Sequence, residues 1–333
     1  MKGAANMKQP VFNISTENYL AAEDSKITQW FFKDMNTRWD FSDLDYNNPN
    51  DVPNLNLTIT GLLLSAVIDC TVGKHAWDLT ELTLEKLGFT DLRHHYFELT
   101  EMINKPAVVF GRSREKVNGK YVVAAVYRGT SSVADVISDI KAEPHGFENA
   151  GINSVKKLRA YLAEEGLTKE DTILFITGHS YGAASASLVA LRSTDLAERD
   201  SIFCYVFATP NYARKGMTGE GTKMFCFCSN EDIVPQVPVG PGLDKTGAVI
   251  VLDRINLKQN EPEKYERFLR FYRYFRGRDF EEDHDFQPIE YTFQAPVRIP
   301  NNNPISRNHL PYTYMALIMA EVPEEIAETF IPD

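Results

Sequence analysis

The segment Gly178-His179-Ser180-Tyr181-Gly182 constrains this sequence more than any other feature. A short apolar run at residues 173–176 precedes it and is typical of a buried β-strand, while small residues at 183–191 follow a helical pattern. In a tight turn from strand to helix, flanking glycines remove side chains that would clash, and the serine hydroxyl is exposed at the apex. The pattern therefore predicts Ser180 as a nucleophile, against the alternative of a glycine-rich turn with a structural role alone.

The composition indicates which classes of partner this protein binds and in which cellular compartment it is found. The 333 residues carry a formal net charge of −11 and no block of lysine or arginine, which argues against nucleic acid as a partner. The first residues lack the apolar core of a signal peptide, and the longest apolar run, residues 62–68, is too short to span a bilayer. The four cysteines lie in apolar runs and are predicted to be buried and reduced, so we expect a cytoplasmic protein.

The hydrophobic pattern divides the chain into two parts. Residues 1–104 are predicted to be a mostly helical extension packed on the core, and residues 105–333 the catalytic domain. In the second part, strands alternate with helices, which predicts an α/β fold with a mostly parallel central sheet flanked by helices. Asn118-Gly119 is a strong signal for a hairpin turn between the first two strands. The predicted strands of this part, besides that before Ser180, are residues 107–110, 121–127, 202–208 and 223–228.

A serine nucleophile needs a base, and the base needs an orienting acid. The turn at Ser180 resembles that of the α/β-hydrolase arrangement, in which the chain order is serine, acid, histidine, and this order would leave His284 and His309 as candidate bases. His284 is surrounded by carboxylates at 281–285 that favour its charged form, and a protonated imidazole cannot accept the serine proton. His309, in a polar loop at 301–311 before the last helix, is the predicted base.

The predicted orienting acid is Asp232, which lies four residues beyond the strand that ends at Cys228. Catalytic groups of open α/β sheets gather beyond the carboxyl ends of the strands, whereas Asp200 precedes a strand and should lie at the opposite edge. Glu231 is the close alternative, since one residue of register separates it from Asp232.

The developing oxyanion needs donors as well. The first predicted donor is the N–H of Tyr181, directly after the nucleophile. The second must come from a loop after an earlier strand, and the loop at 127–130 offers the N–H and hydroxyl of Thr130. The alternative is an ordinary polar turn.

Two further patterns, a histidine pair and an arginine-rich segment, each allow more than one interpretation. His94-His95 could suggest a metal site, but neighbouring residues do not share a helix face and no third ligand follows, so we expect neither metal nor cofactor. Residues 261–278 combine aromatic residues at helical spacing with an arginine at every third position from 267 to 276. This segment is either an amphipathic helix with a solvated arginine face or a docking face for anionic lipid that could also cap the site.

With these residues in place, the chain resembles the fungal-type (class 3) lipases of the α/β-hydrolase fold. Four segments match in the family's order and span residues 105–315. The segments are Tyr127-Arg-Gly-Thr130 followed by Asp139, Gly178-His-Ser-Tyr-Gly182, Asn230-Glu-Asp-Ile-Val-Pro235 and His309-Leu-Pro-Tyr312. The resemblance implies Ser180 as nucleophile, Asp232 as acid, His309 as base and Thr130 with Tyr181 as oxyanion hole. It also implies a lid near residues 132–139.

The resemblance implies hydrolysis of carboxylic esters, with acylglycerols or other lipid esters as substrates, no cofactor, and peripheral contact with lipid surfaces. Three alternatives stay open: a small-ester or feruloyl-type esterase, a phospholipase that uses the arginines, and a non-catalytic lipid-binding relative. The intact set of Ser180, Asp232 and His309 argues against the last of these. The oligomeric state stays open.

Overall fold

A computed structural model describes most of the chain. The described residues are 52–69, 77–96, 106–129, 146–214, 217, 222–237, 243–281 and 304–331, with 12–14, 35–37, 39, 41 and 44 from the start. Thr130, residues 132–139, His284 and Cys70 lie outside them. The predicted lid and the second oxyanion donor are therefore not described.

The described residues of the first part of the chain form two short strands, two helices and a longer strand. Asn54 begins the first helix, because its Oδ1 accepts a hydrogen bond from the N–H of Leu57 at 3.1 Å. Apolar residues at helical spacing over 79–87 predict a helix that stops at Gly88, and Gly88, with φ of +92°, indeed follows the end of the second helix. The elements are β1 Phe12–Ile14, β2 Met35–Thr37, α1 Leu55–Asp69, α2 Asp78–Lys86 and β3 Phe89–His95.

In the described residues of the second part, strands alternate with helices from residue 121 to 207, further strands follow up to residue 252, and the end is helical. The predicted hairpin is confirmed, since Asn118 and Gly119 both have positive φ values, 51° and 81°. Pro323 interrupts the single helix that is predicted near the end of the chain. The elements are β4 Val108–Ser113, β5 Tyr121–Tyr127, α3 Gly146–Glu164, β6 Thr172–His179, α4 Tyr181–Arg192, β7 Ile202–Phe207, β8 Ala213–Arg214, β9 Lys223–Ser229, β10 Leu243–Asp244, β11 Ala248–Leu252, α5 Arg254–Asn260, α6 Pro262–Arg276, α7 Pro304–His309, α8 Pro311–Glu321 and α9 Glu324–Ala327.

In the described part of the chain, seven strands form one sheet in the order β11-β9-β7-β6-β5-β4-β3. The strands from β11 to β5 run parallel, and β4 and β3 complete the sheet in antiparallel pairing. The predicted α/β architecture with a mostly parallel sheet is thus confirmed. Because parallel strands end at the same edge, the residues after β5, β6 and β9 gather there.

Apolar side chains cover both faces of the sheet, which explains why its central strands read as continuous apolar runs. One core cluster joins alternate strand residues such as Phe175 and Phe207 to α1, α6 and α8. The other joins the intervening residues, such as Ile176 and Cys204, to α3 and α4. The helix α1 lies tightly against β6, where Thr177 Oγ1 donates a hydrogen bond to the Gly61 carbonyl at 3.0 Å.

The sequence analysis missed β3. Its residues Phe89-Thr-Asp-Leu-Arg-His-His95 have little apolar alternation, and the pairing with β4 is irregular between Thr90 and Arg93. His94 and His95 lie on this edge strand, and His94 stacks on Trp77 with 4.4 Å between ring centroids. Part of the predicted extension therefore completes the main sheet.

The arginines at every third position of α6, from 267 to 276, form the arginine stripe, and they make contacts within the protein. Arg270 pairs with Glu324 at 2.9 Å and with Glu328 at 2.6 Å, and Arg273 pairs with Asp279. The opposite face of the helix is buried through Tyr265, Phe268, Phe271, Tyr272 and Phe275. These contacts favour the amphipathic helix over a lipid-docking face.

None of the helices in the described ranges is both long and apolar enough to cross a membrane. The cysteines of these ranges, Cys204, Cys226 and Cys228, are buried and form no disulfide. Cys226 and Cys228 lie on the same side of β9, with 3.5 Å between their sulfur atoms.

Candidate active site

Ser180 lies at the sharp turn between β6 and α4. Its φ and ψ are 58° and −124°, a combination that costs free energy for a residue with a side chain and that clusters at functional sites. The side chain is 2% exposed, so the hydroxyl is at the apex of the turn but is covered, whereas the sequence pattern predicted an exposed one. His309, which folds over it from the end of the chain, is part of that cover.

The glycines on either side of the nucleophile are required by contact distances. A Cβ at Gly178 would lie 2.5 Å from the carbonyl oxygen of Gly182, and a Cβ at Gly182 would lie 2.5 Å from the carbonyl oxygen of Tyr127. Since backbone atoms cannot give way cheaply, any side chain at either position would push the turn apart. The contact with Tyr127 also brings the end of β5, and the loop that follows it, next to Ser180.

The structure brings His309 to Ser180 across 129 residues of sequence, with 2.8 Å between His309 Nε2 and Ser180 Oγ. The other ring nitrogen, Nδ1, lies 2.8 Å from Asp232 Oδ2. His309 ends the short helix α7, so the predicted polar loop contains a helical turn. The predicted nucleophile, base and acid thus form one continuous hydrogen-bonded chain.

Asp232 is fully buried and its carboxylate accepts three hydrogen bonds. Besides His309, Tyr314 Oη donates to Oδ2 at 2.8 Å, and the N–H of Val234 donates to Oδ1 at 3.0 Å. Burial raises the pKa of Tyr314, and the nearby charge of Asp232 adds to that effect, so the hydroxyl stays protonated and remains a donor. These donors fix the carboxylate in front of His309.

Glu231 points away from the base. Its carboxylate forms a bidentate pair with Arg254, with 2.7 Å between Arg254 Nε and Glu231 Oε2. Arg254 and Arg307 each lie against the ring of Phe280, at 4.6 Å and 4.5 Å from the ring centroid. The contacts of Glu231 therefore link the loop that carries both carboxylates to the segment that carries His309. Of the two carboxylates, that of Asp232 contacts the imidazole.

The environment of His309 favours its neutral form. Burial lowers the pKa of His309 from its usual value of 6.5, and the charge and hydrogen bond of Asp232 act against that effect. A neutral imidazole with its proton on Nδ1, donated to Asp232, has a free electron pair on Nε2 for the serine proton.

This lowered pKa leads to a prediction for the pH dependence of ester hydrolysis. The base must be neutral, so kcat/KM should rise with pH through the pKa of His309 in the free enzyme. Since that pKa is lowered from 6.5, the midpoint of the acid limb should fall below pH 6.5. A profile of kcat/KM on a soluble ester measures the midpoint, and a value clearly above 6.5 would contradict this account of His309.

The oxyanion side of the site is described in part. The N–H of Tyr181 begins α4, so the positive end of the helix dipole faces the position beside Ser180. Thr130 lies outside the described residues, and the loop is described as far as Gly129. The N–H of Gly129 donates to Asp69 Oδ1 at 2.7 Å, which fixes the start of the predicted oxyanion loop.

Sequence reasoning missed three side chains near the triad. Tyr314 holds Asp232, Asp69 holds Gly129, and His179 donates from Nε2 to the backbone carbonyl of His309 at 2.7 Å. None of them lies in a motif that assigns it such a contact, and Asp69 belongs to the extension. Within the described ranges, no cluster of three histidine, cysteine, aspartate or glutamate side chains is placed to hold a metal ion.

The fold and the site define a class of protein. A parallel sheet, a serine in a strained turn from strand to helix, and an acid and a histidine that follow in that order are the features of an α/β-hydrolase.

A family model of class 3 lipases matches residues 124–241. The resemblance to class 3 lipases, and with it the prediction of a carboxylic ester hydrolase, is confirmed by this match. The matched segment contains Ser180 and Asp232 and ends before His309.

Solved structures of lipases are similar to parts of this chain. A triacylglycerol lipase whose catalytic centre is described as a serine protease triad is 19% identical, covers 60% of this chain and 80% of its own, and has a TM-score of 0.45. The triacylglyceride lipase of Rhizomucor miehei is 16% identical, covers 73% and 83%, and has a TM-score of 0.38. The Lip2 lipase of Yarrowia lipolytica is 18% identical, covers 51% and 68%, and has a TM-score of 0.37.

No curated protein matched the sequence.

Proposed function

We propose that this chain hydrolyses carboxylic esters of lipids, acylglycerols above all, through an acyl-enzyme on Ser180. One observation carries the proposal: the hydrogen bonds from Ser180 Oγ to His309 and from His309 to Asp232, both 2.8 Å, lie within the buried site. A hydroxyl is a weak nucleophile at neutral pH, and this arrangement is the one that activates it.

In the first half-reaction, His309 Nε2 takes the proton of Ser180 as Oγ attacks the ester carbonyl carbon. The carbonyl oxygen becomes an oxyanion, which the N–H of Tyr181 and the N–H or hydroxyl of Thr130 stabilise. His309 then gives the proton to the leaving alcohol oxygen, and the acyl group stays on Ser180. Asp232 keeps the Nδ1 proton in place and stabilises the transient imidazolium charge.

In the second half-reaction, water replaces the alcohol. His309 takes a proton from the water as its oxygen attacks the acyl carbon, and a second oxyanion forms at the same donors. When the intermediate collapses, His309 returns the proton to Ser180 Oγ and the carboxylic acid leaves. No step requires a group beyond these side chains and backbone donors.

The match to class 3 lipases supports a lipid ester as substrate, and the described contacts weigh on the alternatives. A phospholipase that recognised anionic headgroups through the α6 arginines would have to replace the contacts that those arginines already make. Arg270 is held by two glutamates and Arg267 donates to the Ala320 carbonyl at 2.7 Å. These contacts favour a neutral lipid ester over an anionic one.

The decisive experiment combines a fluorophosphonate probe with a series of p-nitrophenyl esters from acetate to palmitate. We expect the probe to label the folded protein and kcat/KM to increase with the length of the acyl chain. We also expect the protein to hydrolyse an emulsified triacylglycerol. An optimum at acetate with no activity on the emulsion would instead indicate the small-ester esterase. Absence of both labelling and turnover, with detergent present, would leave the non-catalytic lipid-binding relative.

We also propose a cytoplasmic location, supported by three buried cysteines that form no disulfide in the described ranges. Cell fractionation of the full chain, with an antibody against it, tests this location.

A further inference from the structure

Two buried ionisable side chains next to the triad have no role in the proposed reaction. Asp69 is the last residue of α1, and its side chain is 4% exposed. His179 is the last residue of β6, directly before Ser180, and its side chain is fully buried. Charged or chargeable groups are expensive to bury, so such a pair needs partners that satisfy it.

The proton on His179 Nε2 is fixed by its partner. Nε2 lies 2.7 Å from the backbone carbonyl oxygen of His309, and a carbonyl oxygen can only accept. Nε2 is therefore the donor, and the bond holds the main chain of the residue that supplies the base. The two imidazole rings lie close together, with 4.7 Å between centroids.

The other ring nitrogen faces Asp69. His179 Nδ1 lies 3.3 Å from Asp69 Oδ2, within ion-pair distance although the alignment is poor for a hydrogen bond. Neither atom has another hydrogen-bond partner among the described residues. Among the described residues, Nδ1 and Oδ2 therefore have each other as their nearest polar partner.

Asp69 also reaches the predicted oxyanion loop. Its Oδ1 accepts from the N–H of Gly129 at 2.7 Å, and Gly129 directly precedes Thr130. A Cβ at Gly129 would lie 2.9 Å from the His179 carbonyl oxygen and 3.2 Å from Asp69 Oδ2. Glycine thus allows the loop to pack directly against both members of the pair.

We propose that Asp69 and His179 are positioning residues that hold the oxyanion loop at Gly129 and the backbone of His309 in register around Ser180. The inference rests on the proposed function, since positioning matters only if Ser180 reacts. It also assigns a role to α1, which lies outside the segment matched by the lipase family. The N-terminal part of the chain would then complete the active site.

Two variants of Asp69, one conservative and one not, distinguish a loss of positioning from a loss of folding. Asp69→Asn keeps an oxygen for the Gly129 N–H, and its amide N–H can donate to Nδ1 of a neutral His179 while Nε2 still donates to His309. Asp69→Ala removes both contacts. We expect Asp69→Ala to lower kcat by about 10²-fold with little change in KM, and Asp69→Asn to keep most of the activity.

A second pair covers the case in which Asp69→Ala does not fold. His179→Gln has an amide N–H that extends to about the position of Nε2 and can donate to the His309 carbonyl, whereas the amide of His179→Asn is too short to reach it. We expect kcat of His179→Gln to exceed that of His179→Asn by about tenfold or more, because only the first restores the contact.

Ser65→Ala is the matched control. Ser65 is buried on the same helix and its Oγ lies 3.0 Å from Thr177 Oγ1, so the variant removes a contact between α1 and β6 without touching the pair. Its kcat should equal that of the wild type. Fluorophosphonate labelling rates should follow kcat across the series.

The outcomes are distinguishable. If the wild type labels and turns over ester, but folded Asp69→Ala or His179→Asn keeps wild-type kcat, the positioning role is wrong and the proposed function stands. A loss in Asp69→Asn as large as in Asp69→Ala also overturns it, because it would mean that the charge of Asp69 matters rather than its contacts. If the wild type neither labels nor hydrolyses, the proposed function itself fails.

Discussion

Ser180→Ala should lower kcat for ester hydrolysis by about 10⁶-fold and abolish fluorophosphonate labelling. Ser180 Oγ lies 2.8 Å from His309 Nε2, and no other hydroxyl of the described residues is hydrogen-bonded to that nitrogen. The fold should be retained, since alanine keeps the same Cβ in the strained turn. Initial rates on a soluble ester and gel fluorescence of the labelled protein measure the two effects.

Ser187→Ala provides the matched control for that experiment. Ser187 is buried on the same helix, and its Oγ donates to the Ala183 carbonyl at 2.8 Å. Its labelling and kcat should match the wild type, with thermal unfolding followed for both variants. Persistent labelling of folded Ser180→Ala would mean that another residue is the nucleophile, and the assignment of this site would be wrong.

Asp232→Asn should lower kcat by about 10⁴-fold while the protein stays folded. The side-chain amide can direct an N–H at His309 Nδ1, which then becomes an acceptor, so the ring proton moves to Nε2. In that tautomer Nε2 has no free electron pair for the proton of Ser180. The three side chains keep their positions, but His309 can no longer act as the base. The defect should therefore lie in kcat more than in KM.

Glu231→Gln separates the acid from its neighbour. Glu231 carries the same charge one residue earlier, but its carboxylate pairs with Arg254 rather than with His309. We expect kcat close to the wild type and a free energy of unfolding lower by about 1–3 kcal/mol, because Arg254 loses its partner. A kcat loss for Glu231→Gln equal to that of Asp232→Asn would sink the choice of Asp232.

Local signals in the sequence predicted much of the fold. The continuous apolar runs of β5, β6, β7 and β9 indicated buried parallel strands, because helices cover both faces of such a sheet. The Asn118-Gly119 turn and the helix end at Gly88 follow from φ values that these residues adopt at little cost. The edge strand β3 was missed because it is half exposed and mostly polar, so its apolar periodicity is weak.

For the site, the sequence predicted Ser180 as the nucleophile and the order of its partners. The steric limits of a turn between strand and helix depend only on neighbouring residues, which is why Gly178 and Gly182 around Ser180 could be interpreted without a structure. Chain order and strand ends then selected Asp232 and His309 as candidates. Their roles stay predictions until the variants are measured.

Only the tertiary structure decided which side chains meet. The bond between Asp232 and His309 spans 77 residues of sequence, and that between Asp69 and Gly129 spans 60. Such contacts depend on how helices pack against the sheet. No local pattern of residue types specifies which distant residues this packing brings together. The arginines of α6 show the same limit, because the acidic partners of Arg270 are Glu324 at the start of α9 and Glu328 just after that helix, more than fifty residues later in the sequence. Local sterics thus placed the nucleophile, and long-range packing supplied the residues around it.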